Sequence, residues 1–112
     1  MIPQLFIDMD GVLADFYGFY ETLFGVRLIR DTEQEYPPDL FDNIRGYGTF
    51  YRDQPLLPDA LELWEGAKKF DPIPIILSGV PRSVPDVIKH KREWVDKYLG
   101  KKCNINLLQI KK

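Results

Sequence analysis

The sequence predicts an α/β domain built on a parallel sheet. Apolar runs at residues 5–8 and 73–77 have no polar alternation, as expected of strands covered on both faces, and residues 105–110 form a third apolar run. Helical patterns separate them, giving the order strand, helices, strand, helix, strand. The first two runs end in small polar residues, Asp8-Met9-Asp10-Gly11 and Ser78-Gly79. Sites in α/β sheets lie at the carboxyl ends of strands, and Asp8, Asp10 and Ser78 are expected there.

In chain order, residues 5–8 form the first predicted strand. A helix over residues 13–24 follows, with Leu13, Phe16, Phe19, Tyr20 and Leu23 at helical spacing and Gly25 as its stop. Residues 26–54 differ from their surroundings. They are charged, aromatic and broken by Pro37, Pro38, Gly46 and Gly48, with a short helix expected over residues 39–45 behind an N-cap Asp39. This stretch, with part of the helix before it, reads as a cap inserted into a core made of residues 1–25 and 55–112. A helix from Pro58 to about Phe70 carries Leu61, Leu63, Trp64 and Ala67 and ends at Asp71-Pro72. The strand at 73–77 follows. A helix from Pro85 to about Leu99 then presents Val87, Ile88, Trp94, Val95 and Tyr98, with Gly100 as its stop. The strand at 105–110 closes the order. No internal repeat is present.

Composition limits the function classes. With 112 residues, 45% hydrophobic content and a formal net charge of −2, the chain has material for one domain with a modest core. The slight acidity argues against a nucleic-acid polymer or a membrane surface as partner, and Lys101, Lys102, Lys111 and Lys112 read as a solvated cluster. A single cysteine, Cys103, allows no internal disulfide, and no signal peptide or long apolar span is evident, so a cytoplasmic setting is expected. The one histidine, His90, has no second His or Cys nearby in sequence, which argues against zinc.

Asp8 and Asp10, followed by the flexible Gly11, can converge on one side of a turn. Such a pair can serve as turn and cap aspartates, as a metal site for a sugar nucleotide, or as a nucleophile beside an acid/base. The buried strand before it and the glycine after it favour the last. An aspartate can accept a phosphoryl group, and a hard cation such as Mg²⁺ would hold the anionic nucleophile beside an anionic phosphate.

The run Asp8-Met9-Asp10-Gly11-Val12-Leu13-Ala14-Asp15-Phe16 resembles the first motif of haloacid dehalogenase (HAD) superfamily phosphatases, and within them the 5'(3')-deoxyribonucleotidase branch. Ser78, with Gly79 beside it on the substrate, resembles the second motif. Lys91, three residues before Trp94 in a segment ending Leu99-Gly100, resembles the third. Phe50-Tyr51-Arg52-Asp53-Gln54-Pro55-Leu56-Leu57-Pro58 is similar to the segment by which the branch's small cap returns to the core.

The resemblance implies a three-layer Rossmann-like sandwich with a small helical (C1-type) cap, and Mg²⁺-dependent hydrolysis of a phosphomonoester, in particular a nucleoside monophosphate. It makes Asp8 the nucleophile and Asp10 the acid/base, with the Asp8 side chain and the Asp10 carbonyl on Mg²⁺. Ser78 would hold the phosphoryl group, Lys91 would neutralise charge, and Phe16 and Phe50 would contact the base.

The family's fourth motif, aspartates at the end of another strand beside the first, has no counterpart here, since no Asp or Glu follows Asp96. Its absence implies an open edge on the first strand at the site. A shortened chain, a partner strand from a second copy, or a remnant without full catalysis would each account for it.

Overall fold

The computed structural model describes residues 3–28, 37–101 and 103–110, and of residues 108–110 the backbone only. Among these, three strands and five helices follow in order: β1 (Phe6–Asp8), α1 (Phe16–Phe24), α2 (Leu40–Tyr47), α3 (Phe50–Asp53), α4 (Ala60–Ala67), β2 (Ile75–Pro81), α5 (Val87–Tyr98) and β3 (Ile105–Ile110). The strands form one parallel sheet in the order β1-β2-β3, with Ile7 opposite Ile76 and Ile76 opposite Ile105. The fold is therefore α/β with a parallel sheet, as the apolar runs predicted.

Among the described residues the core helices cover one face of the sheet. Ile7, Ile76 and Ile105 share one face and pack with Ala60, Trp64 and Ala67 from the α4 side and with Trp94 and Val95 of α5 in a single cluster. Both core helices thus lie on the same face. The strand order accounts for this. Two right-handed crossovers that step in the same direction across a sheet deliver both helices to the same side, and the second layer needs a chain that steps back past β1. Along β2 burial consequently alternates. Ile76, Ser78 and Val80 are buried, whereas Ile75, Leu77 and Gly79 are only partly so, and Phe6 on the second face is 50% exposed. The expectation of strands covered on both faces fails for that reason among the described residues.

Several boundaries also move. The helix expected from residue 13 starts at Phe16, because residues 11–14 are consumed by a turn and Asp15 serves as its N-cap. β2 begins at Ile75 and runs on to Pro81, so Ser78 and Gly79 sit inside a strand rather than after one. β3 pairs with β2 as far as Pro81 opposite Ile110, whereas β1 stops opposite Leu77. Ser78 is therefore the first β2 residue beyond the end of β1.

The apolar residues of the insert and α1 pack in one cluster with Val80 of β2, with Val84 and with Val87 of α5. Phe50, 1% exposed, is surrounded by the rings of Phe16, Phe19, Tyr20, Tyr47 and Tyr51 at centroid separations of 5.2–6.5 Å. Residues 29–36 of the insert lie outside the described residues, as do Lys102, Lys111 and Lys112 of the basic cluster. The two legs of the insert are tied together at its base, where the Asp15 N–H donates to the Pro55 carbonyl at 2.8 Å and the Leu57 N–H to the Leu13 carbonyl at 2.9 Å.

β1 is an edge strand. The Ile75 N–H donates to the Leu5 carbonyl at 3.0 Å, so the backbone groups of Phe6 and Asp8 face away from β2. Phe6, Leu63, Ala67, Phe70 and Pro74 line an apolar groove along this edge. Among the described residues no helix is long and apolar enough to cross a membrane.

Phe50→Ala would remove the shared ring of the cap core and is expected to cost about 3–5 kcal/mol in denaturant unfolding, as for other large-to-small core changes.

Candidate active site

The turn after β1 is organised by one carbonyl. Met9 O accepts from the N–H groups of Val12, Leu13 and Ala14 at 3.3, 2.9 and 2.9 Å, and the Gly11 N–H donates to the Ala14 carbonyl at 2.8 Å. Gly11 stands at φ +81°, a left-handed conformation that glycine adopts without penalty. The turn lifts Asp10 off the strand and returns the chain to start α1. There the Asp15 carboxylate accepts from the Gly18 N–H at 3.0 Å. A Cβ at residue 18 would crowd the Asp15 carboxylate, so a side chain there would displace the capping group from its present position.

Ser78 lies on the face of β2 that α5 covers, which is why Lys91 meets it. α5 buries Val87, His90, Lys91, Trp94 and Val95 along one stripe, and Lys91 has no exposed surface. Its ammonium reaches Asp10 Oδ2 at 2.7 Å, Ser78 Oγ at 2.6 Å and the Gly79 carbonyl at 2.6 Å. All three N–H donors are therefore directed at acceptors. The Tyr51 ring lies 4.7 Å from Nζ, so the cap contributes the remaining wall.

Four residues singled out in the sequence, Asp10, Ser78, Gly79 and Lys91, thus converge from the β1 turn, β2 and α5. They lie up to 81 positions apart in the chain.

Asp8 is not drawn into this cluster. It ends β1 opposite Leu77, and by the two-residue alternation of a strand it shares the face of Phe6 and Leu77, not that of Ser78. Its carboxylate is exposed and has no hydrogen-bond or ion-pair partner among the described residues. Phe16 and Phe50 are 8% and 1% exposed and meet edge to face at 5.3 Å. Phe50 is enclosed by the rings of Phe16, Phe19, Tyr20, Tyr47 and Tyr51.

Two contributors had no signal in the sequence. Gln54, fully buried, points Nε2 at Asp10 Oδ1 at 3.3 Å, and its backbone carbonyl accepts from Trp94 Nε1 at 2.7 Å. Tyr51 was overshadowed by the neighbouring Phe50. A glutamine between an aspartate and a proline matches no pattern. An aromatic pair at the return of an insert could have directed attention to both rings rather than one.

The donor set bears on a cation. No group of three or more His, Cys, Asp or Glu side chains is placed to hold a metal ion among the described residues. The Asp10 carboxylate is engaged by Lys91 and Gln54. The uncommitted oxygens at the turn are the Asp8 carboxylate and the Asp10 backbone carbonyl, to which no described backbone N–H outside the helices and strands donates. One carboxylate and one carbonyl fit Mg²⁺, which commonly keeps several waters and takes the rest of its shell from a substrate phosphate. Cys103 lies at the opposite end of the sheet, before β3, where burial pushes its thiol up and leaves little thiolate at neutral pH.

No family model and no curated protein matches the chain.

The Asp10–Lys91 pair is unevenly buried, at 27% and 0% side-chain exposure. Asp10→Leu strands a buried ammonium and is expected to cost about 3–5 kcal/mol. Lys91→Met leaves a carboxylate that water can reach and should cost less. Urea unfolding of both variants at neutral pH measures the difference.

Proposed function

We propose that the chain is a Mg²⁺-dependent phosphomonoesterase that hydrolyses nucleoside monophosphates through an aspartyl-phosphate on Asp8. The observation that carries this reading is the contact of one buried ammonium with both Asp10 and Ser78. Three separate stretches that resemble the successive motifs of HAD phosphatases meet at that point.

In this mechanism the Asp8 carboxylate, which has no ion-pair partner among the described residues, attacks phosphorus, and the bond from phosphorus to the leaving oxygen breaks. Asp10 gives its proton to the leaving alkoxide. It then takes one from the water that attacks the aspartyl-phosphate, so that inorganic phosphate departs and Asp8 is regenerated. Ser78 Oγ accepts from Lys91, which leaves its own O–H to donate to a phosphoryl oxygen. Lys91 offsets the charge that develops on that group from a buried position. The Asp8 carboxylate and the Asp10 carbonyl would hold Mg²⁺, whose charge would keep nucleophile and phosphate together. Phe16, at the start of α1 directly after the turn, is the candidate for base contact.

A second reading is a phosphate-binding remnant without turnover. It is favoured by the position of Asp8 outside the reach of Lys91 and by the sparse metal donors. In either reading we propose a second copy of the chain as the partner that covers the open edge of β1, in which case Phe6→Lys would reduce a dimer to a monomer in sedimentation equilibrium.

Phosphate release from a panel of deoxynucleoside monophosphates separates the two main readings. The enzyme reading expects Mg²⁺-dependent turnover that EDTA abolishes and that Asp8→Asn lowers on the order of a thousandfold or more. Ser78→Ala is expected to lower kcat about a hundredfold. Turnover that survives Asp8→Asn undiminished would overturn the mechanism, and no turnover on any phosphomonoester would leave the remnant.

A further inference from the structure

Gln54 follows α3 at the point where the insert returns to the core, and nothing in the mechanism above uses it. It is nevertheless fully buried, with its amide aimed at the acid/base. Nε2 lies 3.3 Å from Asp10 Oδ1 and 3.5 Å from the Tyr51 carbonyl. The other end of the amide is poorly served, since Oε1 is buried without a hydrogen-bond partner among the described residues. Reversing the amide gives no relief. It would set Oε1 against a carboxylate and a carbonyl, acceptor against acceptor, so the two neighbours dictate the orientation.

An unpaired buried carbonyl is a stability cost that an apolar side chain of similar length would remove. A residue that carries this cost while its donor end meets a site carboxylate is positioned for that contact and not for packing. Its mount is rigid. The Gln54 carbonyl accepts from Trp94 Nε1 at 2.7 Å, and Trp94 lies three residues after Lys91 on α5. Pro55 and Leu57, immediately after it, are bonded to Asp15 and Leu13. Lys91 and Gln54 thus approach the same carboxylate from one helix and from the strap bound to it.

We propose that Gln54 is a positioning residue for Asp10. By holding Oδ1 while Lys91 holds Oδ2, it fixes the rotation of the carboxylate, so the same oxygen meets the leaving group and then the water in each cycle. The inference rests on reading Asp10 as the acid/base. The bond at 2.7 Å is charge-assisted on both sides, whereas the one at 3.3 Å is long, so Oδ1 is the oxygen that Gln54 can yield to a reacting proton. Without that hold the carboxylate can swing about the Lys91 contact, and proton transfer depends on a narrow range of distance and alignment.

The test uses two variants and one spectroscopic signature on the full chain. Gln54→Met keeps the length and removes both polar ends. It is expected to melt at or above the wild-type temperature while kcat falls about ten- to a hundredfold, the loss of one hydrogen bond to a charged group, and KM changes less than about twofold. Gln54→Glu keeps the shape but sets an acceptor against a carboxylate, and its kcat should fall further. In NMR spectra the Gln54 side-chain amide resonances should move in Asp10→Asn and stay in place in Asp8→Asn. Wild-type kcat in Gln54→Met would overturn the proposal, as would a loss of kcat that merely follows a lowered melting temperature, or amide resonances indifferent to Asp10→Asn. If the wild-type chain hydrolyses no phosphomonoester, the functional reading falls separately, and the resonances alone decide whether Gln54 holds Asp10.

Discussion

A lysine ammonium without exposed surface remains charged only if each of its protons finds an acceptor. Lys91 meets that condition through Asp10, Ser78 and the Gly79 carbonyl, and the rest of the site follows from it. The requirement fixes the rotation of α5, because the stripe that buries Trp94 and Val95 must also aim Lys91 at β2. It fixes how far the turn after β1 lifts Asp10. It also demands a lid, and the Tyr51 ring supplies one from the insert. The insert is thereby coupled to the sheet through a charged atom and the carbonyl of Gln54, in addition to the apolar cluster that its rings share with Val80, Val84 and Val87.

The fold class was legible because continuous apolar runs of strand length, separated by helix-length amphipathic segments, leave few other arrangements. β3 lies where its apolar run lies, and Asp39 and Gly25 mark helix ends where they were expected. What the sequence concealed was relational. The end of β2 is set by its partner β3, which no local pattern at Ser78-Gly79 reveals, since both residues are poor strand formers taken alone. Whether an apolar strand is covered on one face or two depends on the direction in which successive crossovers step, and Ile75 and Leu77 read the same either way.

The site shows the same division. Asp10 and Ser78 were legible because each sits where an apolar run stops, whereas Lys91 was legible only through the resemblance of its segment to a motif, since the helix around it is charged. The position of Asp8 was not, because the alternation that sends Ile7 to the helix-covered face sends Asp8 to the other, and two residues of turn then carry Asp10 back. Gln54 carried no signal at all: its role exists only through what lies beside it in space.

The three-residue length of β1 has a kinetic meaning. Among the described residues it bonds to β2 on one side only, its neighbour on the open side is a groove, and no helix covers its second face. Segments with few buried contacts and backbone groups open to solvent exchange their amide protons through local opening well below the free energy of global unfolding. The strand that carries Asp8 therefore belongs to the least protected part of the sheet, while Lys91 and Ser78 belong to the most protected. The two halves of the motif set report on different layers of the same molecule's stability, joined by the turn that carries Asp10 from β1 to Lys91.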